Sequence, residues 1–160
     1  MSNVAGAYGS NNQTVTITLA SLASGASRQS SQIVVSGLSP IPLDILVTVK
    51  LKAGSTNTGF FATLYACGST DGGTTFTDNA GTTDAAITLP TTPNAKYIGT
   101  INMPATATSY VAGPFGIAAH MDGSLPANLV LVVNNATGGA LDATGANHSI
   151  TYQAVYDTVI

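Results

Sequence analysis

Residues 44–52 read DILVTVKLK. In an extended chain Ile45, Val47, Val49 and Leu51 fall on one face, while Asp44, Thr48, Lys50 and Lys52 fall on the other. That alternation is the period of a half-buried β-strand, whose successive side chains point to opposite sides. A helix would need apolar residues three and four apart with helix formers between them, and no stretch of the chain sustains that spacing. The first face of residues 44–52 is therefore core.

The same period continues outward in both directions. Upstream, Val15, Ile17 and Leu19 alternate with Thr14, Thr16 and Thr18, and Gln32–Val35 forms a second short strand after the Ser-rich link at residues 24–31. Downstream, the turn-forming residues Gly54–Gly59 precede Phe60–Cys67, predicting a hairpin with residues 44–52. Tyr97–Met103, Tyr110–Ile117, Leu129–Asn134 and His148–Asp157 follow, each bounded by Pro, Gly or Asn, which end strands.

Eight or nine strands result, and the long excursion Ala80–Ala95 suits a Greek-key crossing better than a meander. The prediction is an all-β, single-domain antiparallel β-sandwich, a jelly roll by preference. A length of 160 residues fits one folding unit. Residues 32–160 form its body. Residues 1–31 supply an N-terminal strand and an extended arm whose segments Met1–Gly9 and Ser21–Ser31 bury little of themselves and would order across a neighbour.

Composition narrows the function. Only 7% of the residues are charged, against about a quarter in an ordinary domain, so the charges that normally keep monomers apart are scarce. All seven acids are Asp. Arg28, Lys50, Lys52 and Lys96 are the only cations at a net charge of −3, too few to neutralise phosphates, so nucleic acid is not an expected partner. No apolar run reaches the roughly 18 residues of a spanning helix, and Met1–Ser10 lacks the basic start and apolar stretch of a secretory signal. The expectation is a chain without a membrane partner, made in the cytoplasm.

Ser69, Asp71, Gly73, Thr75 and Phe76 spell S-x-D-x-G-x-T-F, which resembles the Asp-box of sialidase-like propellers. Physically it is a hairpin device: Asp71 accepts backbone N–H groups across a turn, Gly72 and Gly73 permit positive φ, and Phe76 packs beneath. A propeller repeats such a unit blade after blade, whereas this chain has one copy, so no sialidase chemistry is implied. Asp71, Asp78, Asn79 and Asp84 form the densest group of oxygen ligands, a set that calcium would accept. The spacing lacks the alternating D-x-[DN]-x-[DN]-G pattern, which favours ordinary turns over a metal.

Catalytic patterns are sparse. His120 and His148, near Asp122 and Asp142, form no H-x-x-x-H ligand pair and read as structural. Cys67 is the only cysteine, which excludes an internal disulfide, and its strand context suggests a small core residue. No Ser occupies a G-x-S-x-G elbow and no phosphate loop follows a strand, so no enzyme is expected and no cofactor. Asn12, Asn135 and Asn147 begin N-x-S/T sequons that are read as incidental. Tyr152 and Tyr156 share a strand face with Ile150 and Ala154. That arrangement favours core or subunit contact over a sugar-stacking platform.

The segments SGLSPIPLDILVTVKLKAG (36–54), YACGSTDGGTTFTDNAG (65–81) and SITYQAVYDTVI (149–160) sit in a weakly charged body rich in Thr, Ala and Gly. Together they resemble small virion proteins of tailed bacteriophages, in particular the capsid decoration, or cement, proteins. The resemblance implies a β-sandwich that forms homotrimers and clamps the major capsid protein on the outer surface of the shell, without chemistry. Arg28, whose planar fork suits a carboxylate across an interface, joins Tyr152 and Tyr156 as a candidate contact. Two rival classes share the same sequence features: a tail-fibre or baseplate module, and a carbohydrate-binding β-sandwich.

Overall fold

A computed structural model describes residues 4–159. It has eleven strands: β1 (Val4–Tyr8), β2 (Gln13–Val15), β3 (Ser27–Gln29), β4 (Ile33–Val34), β5 (Asp44–Lys52), β6 (Phe61–Ser69), β7 (Ala85–Ile87), β8 (Lys96–Asn102), β9 (Ser109–Gly116), β10 (Asn128–Asn135) and β11 (Ser149–Val159). One helical turn, α1 (Ile117–His120), follows β9. The first sheet runs β1-β11-β5-β9, with β2 also on β11, and the second runs β7-β3-β10-β6-β8, with β4 also on β10. All these ladders are antiparallel.

β1 and β2 lie on the same side of β11, and β3 and β4 on the same side of β10. Counting each of those pairs as one interrupted strand, and β7 as an added edge, leaves eight principal strands. They pair first with last, second with seventh, third with sixth and fourth with fifth, which is the winding of a jelly roll.

The alternation of DILVTVKLK holds throughout: Ile45, Val47, Val49 and Leu51 are each fully buried. They face Ala62, Leu64 and Ala66 of β6 and Leu129, Leu131 and Val133 of β10 in one core cluster. Burial of each such aliphatic side chain contributes about 1.5–3 kcal/mol.

The expected hairpin between residues 44–52 and 60–67 does not form. β5 and β6 belong to different sheets, and residues 53–60 cross from one to the other. A period of two fixes which face is buried, and two strands satisfy it equally well side by side or across a core. β5 instead pairs with β9 and β11, and β6 with β8 and β10.

The expected arm is likewise laid into the chain's own sheets. Within residues 21–31, β3 is clamped between β10 and β7, and Ser27, Gln29 and Ser30 are buried. These polar residues are accommodated because each finds a hydrogen-bond partner, Ser27 in the Asn134 amide and the other two in the backbone. The Ser30 hydroxyl accepts from Leu131 N–H and donates to Ser31 C=O, while the Gln29 amide donates to Thr83 C=O and accepts from Gly81 N–H. Residues 4–8 of the N-terminal segment pair with the end of β11, and Met1–Asn3 lie outside the described residues. The first predicted strand is shorter than expected: its ladder ends at Val15, although Leu19 remains buried.

β10 is buried on both faces, and its outward Val130 and Val132 lie in a second cluster with Cys67, Phe76, Ala80 and Ala95. The excursion after β6 therefore folds back as a lid over part of the second sheet. At the β8–β9 edge the two sheets close directly, because the absence of a side chain at Gly99 makes room for the Phe115 ring.

Candidate interaction surface

Arg28 is held within its own chain. Its Nε donates to Asp84 Oδ1 at 2.6 Å, and Thr18 Oγ1 donates to Asp84 Oδ2 at 2.5 Å. Burial raises the Asp84 pKa, but the hydrogen bonds from Arg28 and Thr18 outweigh it and leave the carboxyl below its ordinary value. Arg28 is thus a strut joining β3 to the residue before β7.

The Asp-box-like segment closes on itself as its residue types require. Asp71 Oδ1 accepts from Ser69 Oγ and from the backbone N–H groups of Thr74 and Thr75, its Oδ2 accepts from Thr75 Oγ1, and Ser69 Oγ accepts from Gly73 N–H. The bonds from Thr75 above all, then that from Ser69, hold the Asp71 carboxyl well below the usual carboxylate range. Gly73 sits at φ +86°, a conformation that favours glycine, and a Cβ there would push on the Gln32 amide, whose Oε1 lies 2.7 Å away. Phe76 is buried beneath, in the second cluster. The segment does not join paired strands, however: β6 ends at Ser69, and the next strand, β7, pairs with β3.

Asp71, Asp78 and Asp84 each have their own partners: Asp71 closes its turn, and Asp84 holds Arg28 and Thr18. Asp78 accepts from Asn94 Nδ2 and Ala95 N–H. Among the described residues no three His, Cys, Asp or Glu side chains form a group able to hold a metal.

His148, Asp142 and Asn135 have structural partners too. His148 Nδ1 accepts from Lys52 N–H, and its Nε2 lies 2.9 Å from Asp142 C=O, an arrangement that places the ring proton on Nε2. Asp142 accepts from Asn147 Nδ2 and Thr144 N–H and pairs with Lys52, which keeps its carboxyl well below the usual range. Asn135, one of the sequon residues, is fully buried and knotted to Leu22, Thr137 and Gly139. Cys67 is buried, and desolvation followed by the charge of Asp78 pushes its thiol up to about 12.

Tyr152 and Tyr156 both lie on the core-facing side of β11, opposite Val47 and Ala7 respectively. Both are half-buried, and Tyr152 packs against the main core cluster. Burial, with the Tyr156 phenol a lesser influence, raises the Tyr152 pKa. The Tyr156 ring crosses over Gly9, where a Cβ would stand 2.8 Å from a ring carbon. Neither ring forms a stacking platform on the outer face.

The free surface lies on the other side of the same sheet. Thr14, Thr151 and Thr48 form a row across β2, β11 and β5, and Gln153 and Leu46 form the next. Thr48, Thr151, Leu46 and Gln153, with Asn11, Asn12, Pro114 and Tyr152, line a shallow depression of about 330 Å3. Val111 on β9, 68% exposed, stands beside Lys50. Beyond the depression, Val155 stands between Tyr8 (67% exposed) and Asp44, and Leu43 (53%), whose N–H bonds Val155 C=O, and Ile41 (66%) precede β5. Four charged residues stand at outward positions of this sheet: Lys50, Asp157, Lys52, which pairs with Asp142, and Asp44, which accepts the Ala118 N–H. Large side chains left exposed together are a mark of an interaction surface. Sequence reasoning passed over Leu46 and Val111, although Leu46 interrupts the polar side of DILVTVKLK and was the available signal.

Compared with known proteins, the chain matches no family model, and no curated protein matches it significantly.

Proposed function

We propose that this chain is a structural virion protein that decorates a bacteriophage capsid from outside, assembling with its own copies as a trimer and seating on the major capsid protein lattice. The observation that carries this reading is the outer face of the first sheet: broad, shallow, lined by Thr, Asn, Gln, Leu and Val, and bordered by exposed Tyr8, Ile41, Leu43 and Val111. Interface cores are depleted in charge and enriched in aromatic and aliphatic groups, and an isologous or cyclic contact cannot leave many charges unpaired.

Jelly rolls serve viral shells and lectins alike, so the fold by itself selects neither. The sparse charge adds weight, because a solitary soluble domain of this composition lacks the repulsion that keeps copies apart. On this reading the protein carries no catalytic chemistry, is made in the host cytoplasm and ends on the capsid exterior.

The test is solution mass by light scattering, followed by cosedimentation with phage shells that lack their decoration protein. A trimer that saturates the shells supports the reading, with Val111→Glu and Leu46→Lys abolishing cosedimentation while leaving the circular dichroism spectrum unchanged. A monomer that leaves the shells bare overturns it.

A further inference from the structure

The second sheet has an outward face that the proposed capsid contact does not use. Its lid covers only the part around Val130, Val132 and Cys67. Beside the lid, a groove of about 450 Å3 runs between the sheet and residues 86–93, lined by Ser27, Asn134, Tyr65, Leu89, Pro90 and Pro93 among others. That volume falls within the range of small-molecule sites. We propose that this groove and the aromatic shelf beside it bind a neutral oligosaccharide.

The lining chemistry selects the ligand class. None of the groove residues is charged, which disfavours phosphates, carboxylates and cationic peptides. Ser27, Asn134, Thr63 and Thr100 stand opposite one another on β3, β10, β6 and β8, a polar row across four adjacent strands. Asn134 Nδ2 donates to Ser27 Oγ at 2.9 Å, which orients the amide, and its Oδ1 accepts no bond from the described residues. Thr63 Oγ1 is buried, out of a ligand's direct reach, and has no partner among the described residues. The Asn134 amide and the Thr100 hydroxyl are the groups of this row left to exchange hydrogen bonds with sugar hydroxyls without charge.

Aromatic rings flank the row. Tyr65 and Tyr97 are cross-strand partners whose ring centroids lie 5.9 Å apart at 73°, and the Tyr97 hydroxyl bonds Thr100 at 2.6 Å. Tyr97 is 51% exposed, and Phe61, on the other side of the row, is 39% exposed. Rings beside a hydroxyl-bonding row match a pyranose, which has an apolar C–H face and a polar rim. Pro90 and Pro93 fix φ in the opposite wall, so the groove is shaped before any ligand arrives. The depression on the first sheet has polar groups, but the one aromatic residue in its lining, Tyr152, packs against the core.

The probes are the hexasaccharides of α-1,4-glucan, β-1,3-glucan, β-1,4-glucan and β-1,4-linked N-acetylglucosamine, titrated by calorimetry and by tyrosine fluorescence against the intact chain. Saturable binding of at least one is expected. It should weaken about tenfold in Tyr97→Ala and in Asn134→Ala. Tyr97 is chosen because it is exposed, so its loss leaves the fold intact; Tyr152→Ala should bind as the parent does. Binding by none of the four, binding unchanged in both variants, or binding of a proline-rich decapeptide in their place would each overturn the proposal. Failure here leaves the shell assay untouched, since the two faces are on opposite sheets.

Discussion

Asp44 caps a helix that begins 73 residues further along the chain: its Oδ1 accepts the Ala118 N–H at 2.7 Å, and also the Ile45 N–H at 2.8 Å. Ala118 lies in the first turn of α1, where backbone donors have no intrahelical partner, and the local cap residue Gly116 offers no side chain. The carboxylate that opens β5 therefore fixes the end of β9 as well.

Replacing Asp44 by Ala should lower stability by about 1–2 kcal/mol, and Asp44→Asn, which keeps the acceptor oxygen, should recover most of the loss. Urea unfolding followed by circular dichroism reads both, and an unchanged midpoint for Asp44→Ala would refute the cap.

Gly99 is placed for contact. A Cβ there would come within 2.5 Å of the Phe115 ring, and the surrounding β8–β9 edge has no slack. Gly99→Val should cost about 1–3 kcal/mol, while Gly99→Val with Phe115→Ala should cost less than the two single changes added together. A strictly additive double variant would show that the two residues do not share the space.

Acid should weaken the fold through identified carboxylates. Asp71, Asp84 and Asp142 all have folded pKa values below the ordinary 3.8. The unfolded chain therefore takes up protons first as pH falls, so this contribution is complete above about pH 4–5 and drains away below it. A melting-temperature series from pH 7 to pH 2 should be flat and then fall. Asp71→Asn should melt lower at pH 7 and lose less on acidification; a series that rose with acid would contradict the linkage.

Cys67 should be silent to thiol reagents. With its thiol pushed up to about 12 in a buried site, almost no thiolate exists at pH 8. Reaction with a chromogenic disulfide should be negligible in buffer and complete in 6 M guanidinium on the order of minutes. Rapid labelling of the native protein would place the thiol at the surface.

Asn135 should be intolerant of change. It bonds Leu22 C=O, Gly139 C=O and Thr137, and both Asn135 and Thr137 are fully buried. Asn135→Ala leaves several of these groups unpaired at about 1–3 kcal/mol each. Differential scanning calorimetry should show a drop of several degrees or more, and a melting point within a degree of the parent would mean that the knot contributes nothing.

The class of fold was legible because it depends on side-chain parity, and parity is written into DILVTVKLK and its counterparts. Which strands are neighbours was not, since β5 and β6 bury their apolar faces equally well across the core as they would in a hairpin. The Ser-rich stretch misled for a related reason. Ser27, Gln29 and Ser30 look unable to leave water until the Asn134 amide and the backbone groups that receive them are in view. The internal geometry of the Asp71 turn followed from its residue types, whereas its position between unpaired strands required the fold. Arg28 showed its charge in sequence but not its partner, because Asp84 lies 56 residues away. Leu46 was visible as an interruption in a polar series, and only the outward face of the assembled sheet gives it meaning.

The pairing of first strand with last also sets the order of events on the ribosome. β1 and β2 have their ladder partner in β11, and β11 separates them from β5 in the finished sheet. Until residues 149–159 are synthesised, the first sheet lacks one of its interior strands, and the apolar faces of Val15, Ile45 and Val47 wait without it. The first sheet therefore closes only once β11 has been made, and a nascent polypeptide stalled before β11 is the form most open to chaperones and proteases.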